Sequence, residues 1–409
     1  MTDPQRLAAS VDPRRSLDFL AAMVRHKSYS NTPGETELAR FMVAEMQKLG
    51  LEARLQHVEG ERYNAIGVWK GTGGGKSLLF NGHLDTNPVT GGWTVDPWGG
   101  LVDDKFIYGI GVSNMKAGDA AYFCAVRTLI ENGVRLRGDV VLTFVVGELQ
   151  GGIGTIKAIE DGVRADYFVN SEPTDVAALT LHSGAFNWTV ELQGITRHVS
   201  KREEACDALQ AAAALAPRLN ALKFSGAASE EHRAINRCHV GVMRAALSPE
   251  FHDWRPPQVA DFARLIGTGR YAPSQSEDSV LADIRGELDR LEREFPGLKA
   301  KVERQRTGSV QRATMLPFEV SRSSPIVKSI NAAYRAVRGV EQPTGPIAPP
   351  CFYGTDAAHL QHRAGMEGIV CGPGGRYNTM PDERVDIPDY LDITRIYLLA
   401  MLDVCGQSA

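Results

Sequence analysis

The chain has 409 residues, 43% hydrophobic and 23% charged, which is ordinary for a globular protein and long enough for two domains with separate cores. With 45 basic and 49 acidic residues the formal charge is -4, which argues against a nucleic-acid partner and against a membrane surface. The polar start Met1-Thr2-Asp3-Pro4-Gln5-Arg6 has no apolar signal core, and no stretch approaches 18 apolar residues. The scattered cysteines 124, 206, 238, 351, 371 and 405 form no C-x-x-C pair, so a cytoplasmic protein with reduced thiols is expected.

Along the chain, Glu35 to Leu49 places Leu38, Phe41, Met42, Met46 and Leu49 at helical spacing and stops at Gly50. Leu78-Leu79-Phe80-Asn81-Gly82-His83-Leu84-Asp85 reads as a buried strand that delivers an imidazole and a carboxylate to its C-terminal end. That is where open α/β sheets hold their chemistry. Ala117 to Asn132 predicts a helix ending at Gly133, and Val140 to Val146 a strand covered on both faces. This alternation predicts an α/β doubly wound, mostly parallel sheet.

From about Ala185 the pattern changes. Phe186 to Leu192 alternates like a half-buried strand, Glu203 to Leu222 is Ala-rich and helical, and Cys238 to Ala246 is strand-like. Ser248 to Ser276, holding Trp254-Arg255-Pro256-Pro257, reads as a loop-rich excursion before the amphipathic helix Glu277 to Phe295. Leu298 to Gln305 closes the unit. The β/α pattern resumes near Pro317, with helices over Ile326 to Val337 and Tyr390 to Cys405. The expected organisation is a discontinuous catalytic-type α/β domain, 1–181 and 313–409, interrupted by an α+β lid at 182–312.

Three spaced blocks carry a family resemblance: Asn81-Gly82-His83-Leu84-Asp85, Tyr108-Gly109-Ile110-Gly111-Val112-Ser113-Asn114-Met115-Lys116 and Gly147-Glu148-Leu149-Gln150-Gly151-Gly152-Ile153-Gly154-Thr155. They resemble the signature blocks of the zinc aminoacylase and glutamate carboxypeptidase family, which includes acetylornithine deacetylase and succinyl-diaminopimelate desuccinylase. The lid block Gly194-Ile195-Thr196-Arg197-His198-Val199-Ser200 is similar to the family's Gly-x-x-x-His-x-Ser, and Gly354-Thr355-Asp356-Ala357 and Gly372-Pro373-Gly374 match late blocks. The resemblance spans nearly the whole chain. It implies two zinc ions held by His, a bridging Asp, Glu, a carboxylate before Pro-Thr and a late His. Carried over residue by residue, His83 and Glu172 keep their positions. Asn114 takes the bridging position, Leu149 the third, and Thr379 the late one, counted back from Asp382-Glu383, with Asn378 beside it no substitute.

That set argues against a metal pair. Two dications about 3.5 Å apart repel by roughly 19 kcal/mol even at an effective dielectric of about 20. A bridging carboxylate offsets much of this, and a neutral amide does not. Catalytic zinc usually takes three protein ligands, whereas His83 and Glu172 supply two, and Leu149 sets an apolar group where an ion would sit. No cofactor is expected, with a single weakly bound zinc or manganese as the alternative.

Two acid/base positions remain. The resemblance gives Asp85 the task of orienting the His83 imidazole and Glu148 that of general base. Without a metal, water keeps its high pKa, withdrawing up to about 12 kcal/mol of help at 1.36 kcal/mol per unit. The expected activity is therefore metal-independent acid/base chemistry on a C–N bond of a small carboxylate-bearing amino-acid derivative: rearrangement, condensation, elimination or cyclisation. An amidohydrolase with one metal in an altered site is the second reading, and a non-catalytic homologue that binds a ligand or regulates an active relative is the third. The resemblance also implies a homodimer formed through the lid, with His198 reaching the partner's site. Arg244, Asn114, Gly354, Thr355 and Gly374 are the candidate substrate contacts, Arg244 as a carboxylate clamp. By the resemblance Cys351 and Cys371 fall in blocks bordering the site, where buried structural thiols are expected and a thiol nucleophile is the alternative, and the three-residue spacing of His359 and His362 would put them on one face of a helix.

Overall fold

A computed structural model describes residues 3–252, 257–305, 315–346 and 353–408. Their chain divides into two compact units: the described parts of 1–181, 319–347 and 355–409 form one, and those of 182–318 and 348–354 the other.

The first unit is built on an eight-stranded sheet. Its order is Glu52–Glu59, Arg62–Trp69, Val140–Val145, Leu78–His83, Tyr167–Asn170, Glu367–Val370, Ala178–Leu179 and Thr344–Gly345. The central strands run parallel, with Leu78–His83 paired to Val140–Val145 on one side and to Tyr167–Asn170 on the other. Every residue of Leu78–His83 and Val140–Val145 is buried, as strands covered on both faces require. Helices supply the cover: Pro33–Lys48, Ala117–Glu131 and Ile387–Cys405 sit close to the boundaries that their apolar spacing predicts. Phe80 lies between the rings of Tyr122 and Tyr397, with centroids 5.4 and 5.1 Å away. The doubly wound, mostly parallel α/β architecture is as the sequence indicates.

The second unit carries a four-stranded antiparallel sheet in the order Arg237–Ala246, Phe262–Tyr271, Gly184–Gln193 and Lys299–Arg304. Helices Ala208–Ala221 and Glu277–Glu294 close its core around Trp188, Leu215, Leu265 and Leu288. One expectation is corrected here. The stretch 248–276 is not an excursion throughout, because Phe262–Tyr271 is an inner strand of this sheet. Gly267 and Gly269 disguise it, since glycine is unfavourable in strand interiors. Gly267 is required by packing: a Cβ there would stand 2.2 Å from the Trp188 ring. The Trp254-Arg255-Pro256 part of the excursion lies outside the described residues, as does Cys351.

Candidate active site

Three adjacent parallel strands aim at one spot. His83 ends the middle strand, Glu148 follows Val145 by three residues on one neighbour, and Glu172 follows Asn170 by two on the other. Ligand atoms of His83, Glu148 and Glu172 all lie within 4.8 Å of one another. The turn after Val145 is made by Gly147, at φ +77°, where a Cβ would stand 2.4 Å from Ile153, and it leads into the short 3-10 helix Glu148–Gln150.

His83 is buried and both ring nitrogens face oxygens. Nδ1 lies 2.8 Å from the main-chain oxygen of Asp85, and Nε2 lies 3.1 Å from Asn114 Oδ1 and 3.6 Å from Glu172 Oε1. An imidazolium in this position would donate one N–H to each of these oxygens. Burial opposes that charge, but the carboxylates of Glu172, Asp85 and Glu148 overcome it and raise the pKa to about 10. Burial pushes Glu172 up to about 7 against the pull of His83. Burial, then the neighbouring Glu172, lifts Glu148 well above the usual carboxylate range.

The role expected for Asp85 is corrected. Its carboxylate is 3.6 Å from His83 Nδ1, and its oxygens are taken by other donors. Oδ1 accepts from the amides of Gly147 (2.9 Å) and Glu148 (3.2 Å); Oδ2 accepts from the Leu149 amide (3.2 Å) and Ser30 Oγ (3.1 Å). The count of metal donors is corrected as well, from two to three, because Glu148 converges with His83 and Glu172.

Asn114 lies in the turn before helix Ala117–Glu131 and presents its amide oxygen to His83. Buried Glu383 holds this turn, with Oε1 accepting from the amides of Ser113 (2.9 Å) and Asn114 (3.1 Å). Ser113 Oγ donates to Asn378 Oδ1 and accepts from the Gly375 amide at 3.0 Å. Gly374, at φ +79°, packs so tightly on Ser113 that a Cβ would stand 2.5 Å from its hydroxyl. Thr379 is exposed and Leu149 half-buried, so neither adds a donor side chain to the cluster. Thr355 is buried and accepts from the Ala357 amide at 3.1 Å.

His198, Arg244 and Gly354 belong to the second unit. His198 is exposed and pairs through Nδ1 with Ser200 Oγ at 3.0 Å, and exposed Arg244 lies over the Phe251 ring at 5.9 Å. His359 is buried, with Nε2 3.0 Å from the main-chain oxygen of Gly151. Cys371 is buried too, and burial pushes its thiol up to about 12, as befits a structural group. Sequence reasoning passed over Ser30, Asp119 and the use of Glu383. Asp119 carried a signal: it is a carboxylate in the otherwise apolar Ala120-Ala121-Tyr122-Phe123 helix, fully buried, bonded by Tyr122 Oη at 2.9 Å.

The model of peptidase family M20/M25/M40 matches residues 79–403, a span that holds every signature block above and leaves out the first two strands and the helices before them. The chain belongs to this family. Among M20 relatives, a deformylase of N-formyl-4-amino-5-aminomethyl-2-methylpyrimidine from Bacillus subtilis is 25% identical over 84% of this chain and 83% of its own length. The corresponding deformylase of Halalkalibacterium halodurans is 23% identical over 98% of this chain and 97% of its own. A succinyl-diaminopimelate desuccinylase from Helicobacter hepaticus is 24% identical over 78% of each chain. The fold matches aminopeptidase PepT from Bacillus cereus with a TM-score of 0.78 at 17% identity, covering 97% of this chain and 99% of the other. It also matches a dinuclear metal binding M20 peptidase from Bacillus subtilis, TM-score 0.67 at 15% identity, covering 96% and 98%. These M20 relatives are enzymes, and the chain has their amidohydrolase and peptidase type of scaffold. No described helix is long and apolar enough to cross a membrane.

Proposed function

We propose that the chain acts on a C–N bond of a small carboxylate-bearing amino-acid derivative, by metal-independent acid/base chemistry. The observation that carries this is the environment of His83: Nε2 is engaged by the neutral amide of Asn114, with Glu148 and Glu172 close enough to keep the ring charged. The imidazolium supplies positive charge and a proton, and Glu148, with its raised pKa, accepts one. A rearrangement, condensation, elimination or cyclisation needs that exchange and no ionised water. The likeness to the deformylase and desuccinylase relatives supports a C–N bond at an acylated amine. A bridged metal pair does not fit: Asn114 brings no negative charge between the ions, and Leu149 and Thr379 bring no donor to the group.

A second reading is favoured by one specific observation. His83, Glu148 and Glu172 form the three-donor set that a single zinc or manganese ion takes. Such an ion would acidify water and polarise a carbonyl in an amide-hydrolysing member, and Glu148 would then be a ligand. Metal analysis of protein purified without added metal or chelator separates the two. Near-stoichiometric zinc or manganese, with activity lost on chelation and regained on its return, sinks the metal-independent reading. In its favour would be cyclisation or elimination of an N-acyl amino-acid probe, without net uptake of water, that survives chelation and is lost in Glu148→Gln.

The lid is proposed to pair two copies, with His198 supplied by the partner subunit. Arg237–Ala246 is an edge strand of its sheet and exposes Val242 and Met243, each at 45%, an unprotected edge of the kind that associates. Sedimentation velocity with Val242→Lys tests this, since a monomeric wild-type chain would rule the dimer out.

A further inference from the structure

We infer that Asp85 is a positioning residue for Glu148, working through the backbone of the turn at 147–149 and not through the His83 ring. Three consecutive amides of that turn point at one carboxylate: Gly147 and Glu148 at Oδ1, 2.9 and 3.2 Å, and Leu149 at Oδ2, 3.2 Å. A run of N–H groups opening on a left-handed glycine is an anion-binding nest. Here the anion is internal. Asp85 is fully buried, and its remaining side-chain hydrogen bond, from Ser30 Oγ at 3.1 Å, completes the shell of Oδ2. Ser30 is itself placed by the bridge between Tyr29 and Thr86, next to Asp85.

The ring of His83 gets its orientation elsewhere. Its Nδ1 partner is the main-chain oxygen of Asp85, which any residue at 85 would offer, and its Nε2 partner is Asn114. The Asp85 side chain therefore has one principal task, to fill the nest and fix the direction in which the Glu148 side chain leaves the backbone. The same plug keeps these three amides from binding a negative group of a substrate, so the turn presents Glu148 and cannot serve as an oxyanion hole.

The test compares amide hydrogen exchange and ring nitrogen signals in wild type and Asp85→Asn. The amide group keeps one acceptor oxygen but turns an NH2 toward the donors that Oδ2 now serves. Exchange at Glu148 and Leu149 should speed roughly ten- to hundredfold relative to a core amide such as Leu142, as expected for loss of charge-assisted bonds. The His83 Nδ1–H signal should keep the character of a hydrogen bond to the main-chain oxygen of residue 85, while loss of the nearby charge lowers the pH at which the ring titrates. Asp85→Ala should show the same change, and added formate should slow exchange at 147–149 by refilling the nest. If Asp85→Asn does not fold, Ser30→Ala serves, with faster exchange at Leu149 as its smaller expected effect. Loss of that Nδ1–H hydrogen-bond signal with unchanged protection at 147–149 would overturn the inference. The activity arm rests on the proposed role of Glu148. On an N-formyl or N-succinyl probe turned over by the wild type, kcat should fall about a hundredfold with KM within about threefold. A failed activity arm with the exchange result intact would count against Glu148 as the base and leave the positioning role standing; a failed exchange result removes the positioning role whatever the activity.

Discussion

Asp85 reaches the turn at 147–149 with both carboxylate oxygens, across neighbouring parallel strands of the same sheet. Glu383 reaches the turn at 113–114 through Oε1, from a loop some 270 positions further along the chain. Both carboxylates are buried and both serve backbone amides, yet they hold different chemistry. The first presents Glu148, a titratable group, and is anchored by the sheet. The second presents Asn114, a neutral group, and depends on a long-range loop that also brings Asn378 to Ser113. The residue that handles protons is thus tied to the central sheet, and the residue that sets the character of the site is tied to a distant loop.

Substitutions on each side should expose this asymmetry. The largest effect is expected for Glu148→Gln, a loss of about 10²- to 10⁴-fold in kcat with unchanged melting temperature, read by steady-state kinetics and calorimetry. Residual turnover near the wild-type rate would remove Glu148 from the chemistry. Asn114→Asp comes next. It places a carboxylate beside His83, Glu148 and Glu172, and the expected outcome is a gain of tightly bound zinc or manganese, seen by elemental analysis and by calorimetric titration. No gain would mean that the side chain at 114 is not what decides metal binding.

Glu383→Ala strands the buried amides of Ser113 and Asn114, and a stability loss of about 1–3 kcal/mol is expected in urea unfolding. Glu383→Gln retains an acceptor and should recover most of it; equal losses would show that charge, not hydrogen bonding, is what matters. The smallest effect is one of shape. Glu148 must be ionised to accept a proton, so kcat/KM should rise with pH on the acid side at a pH above the ordinary carboxylate range. His83 must stay protonated, so activity should fall as pH passes about 10. The stability that the imidazolium contributes has the matching sign. Its folded pKa lies above the ordinary 6.5, so the contribution is complete below that value and lost as pH climbs through about 10. A profile flat to pH 11 would break the assignment of His83 as the proton donor.

Much of the fold is legible because period and burial agree in the first unit: Leu78–His83 and Val140–Val145 are apolar runs with no competing reading. The second unit hides Phe262–Tyr271, because Gly267 answers to the bulk of Trp188 across the sheet, a contact with no local trace. At the site, Gly-His-x-Asp marks the strand end where His83 meets Glu148 and Glu172. What it cannot reveal is which atom of Asp85 meets His83, since main-chain and side-chain oxygens of one residue are the same letter in a sequence. The convergence of Glu148 with Glu172 is equally silent, for it depends on strand order and not on spacing along the chain.

Strand order also makes the cluster a kind of vernier. Three donors sit at or just past the ends of three neighbouring strands, the outer two set by their register against the middle one. Side chains alternate faces along a strand, so one residue inserted within Val140–Val145 would slip that strand by a single step while its hydrogen bonds re-formed. Glu148 would be carried out of alignment with His83 and Glu172, and a folded sheet would remain. Length changes in these three strands are therefore a sharper filter on activity than on folding, and insertions that spare activity as well as the fold should fall in the surface loops.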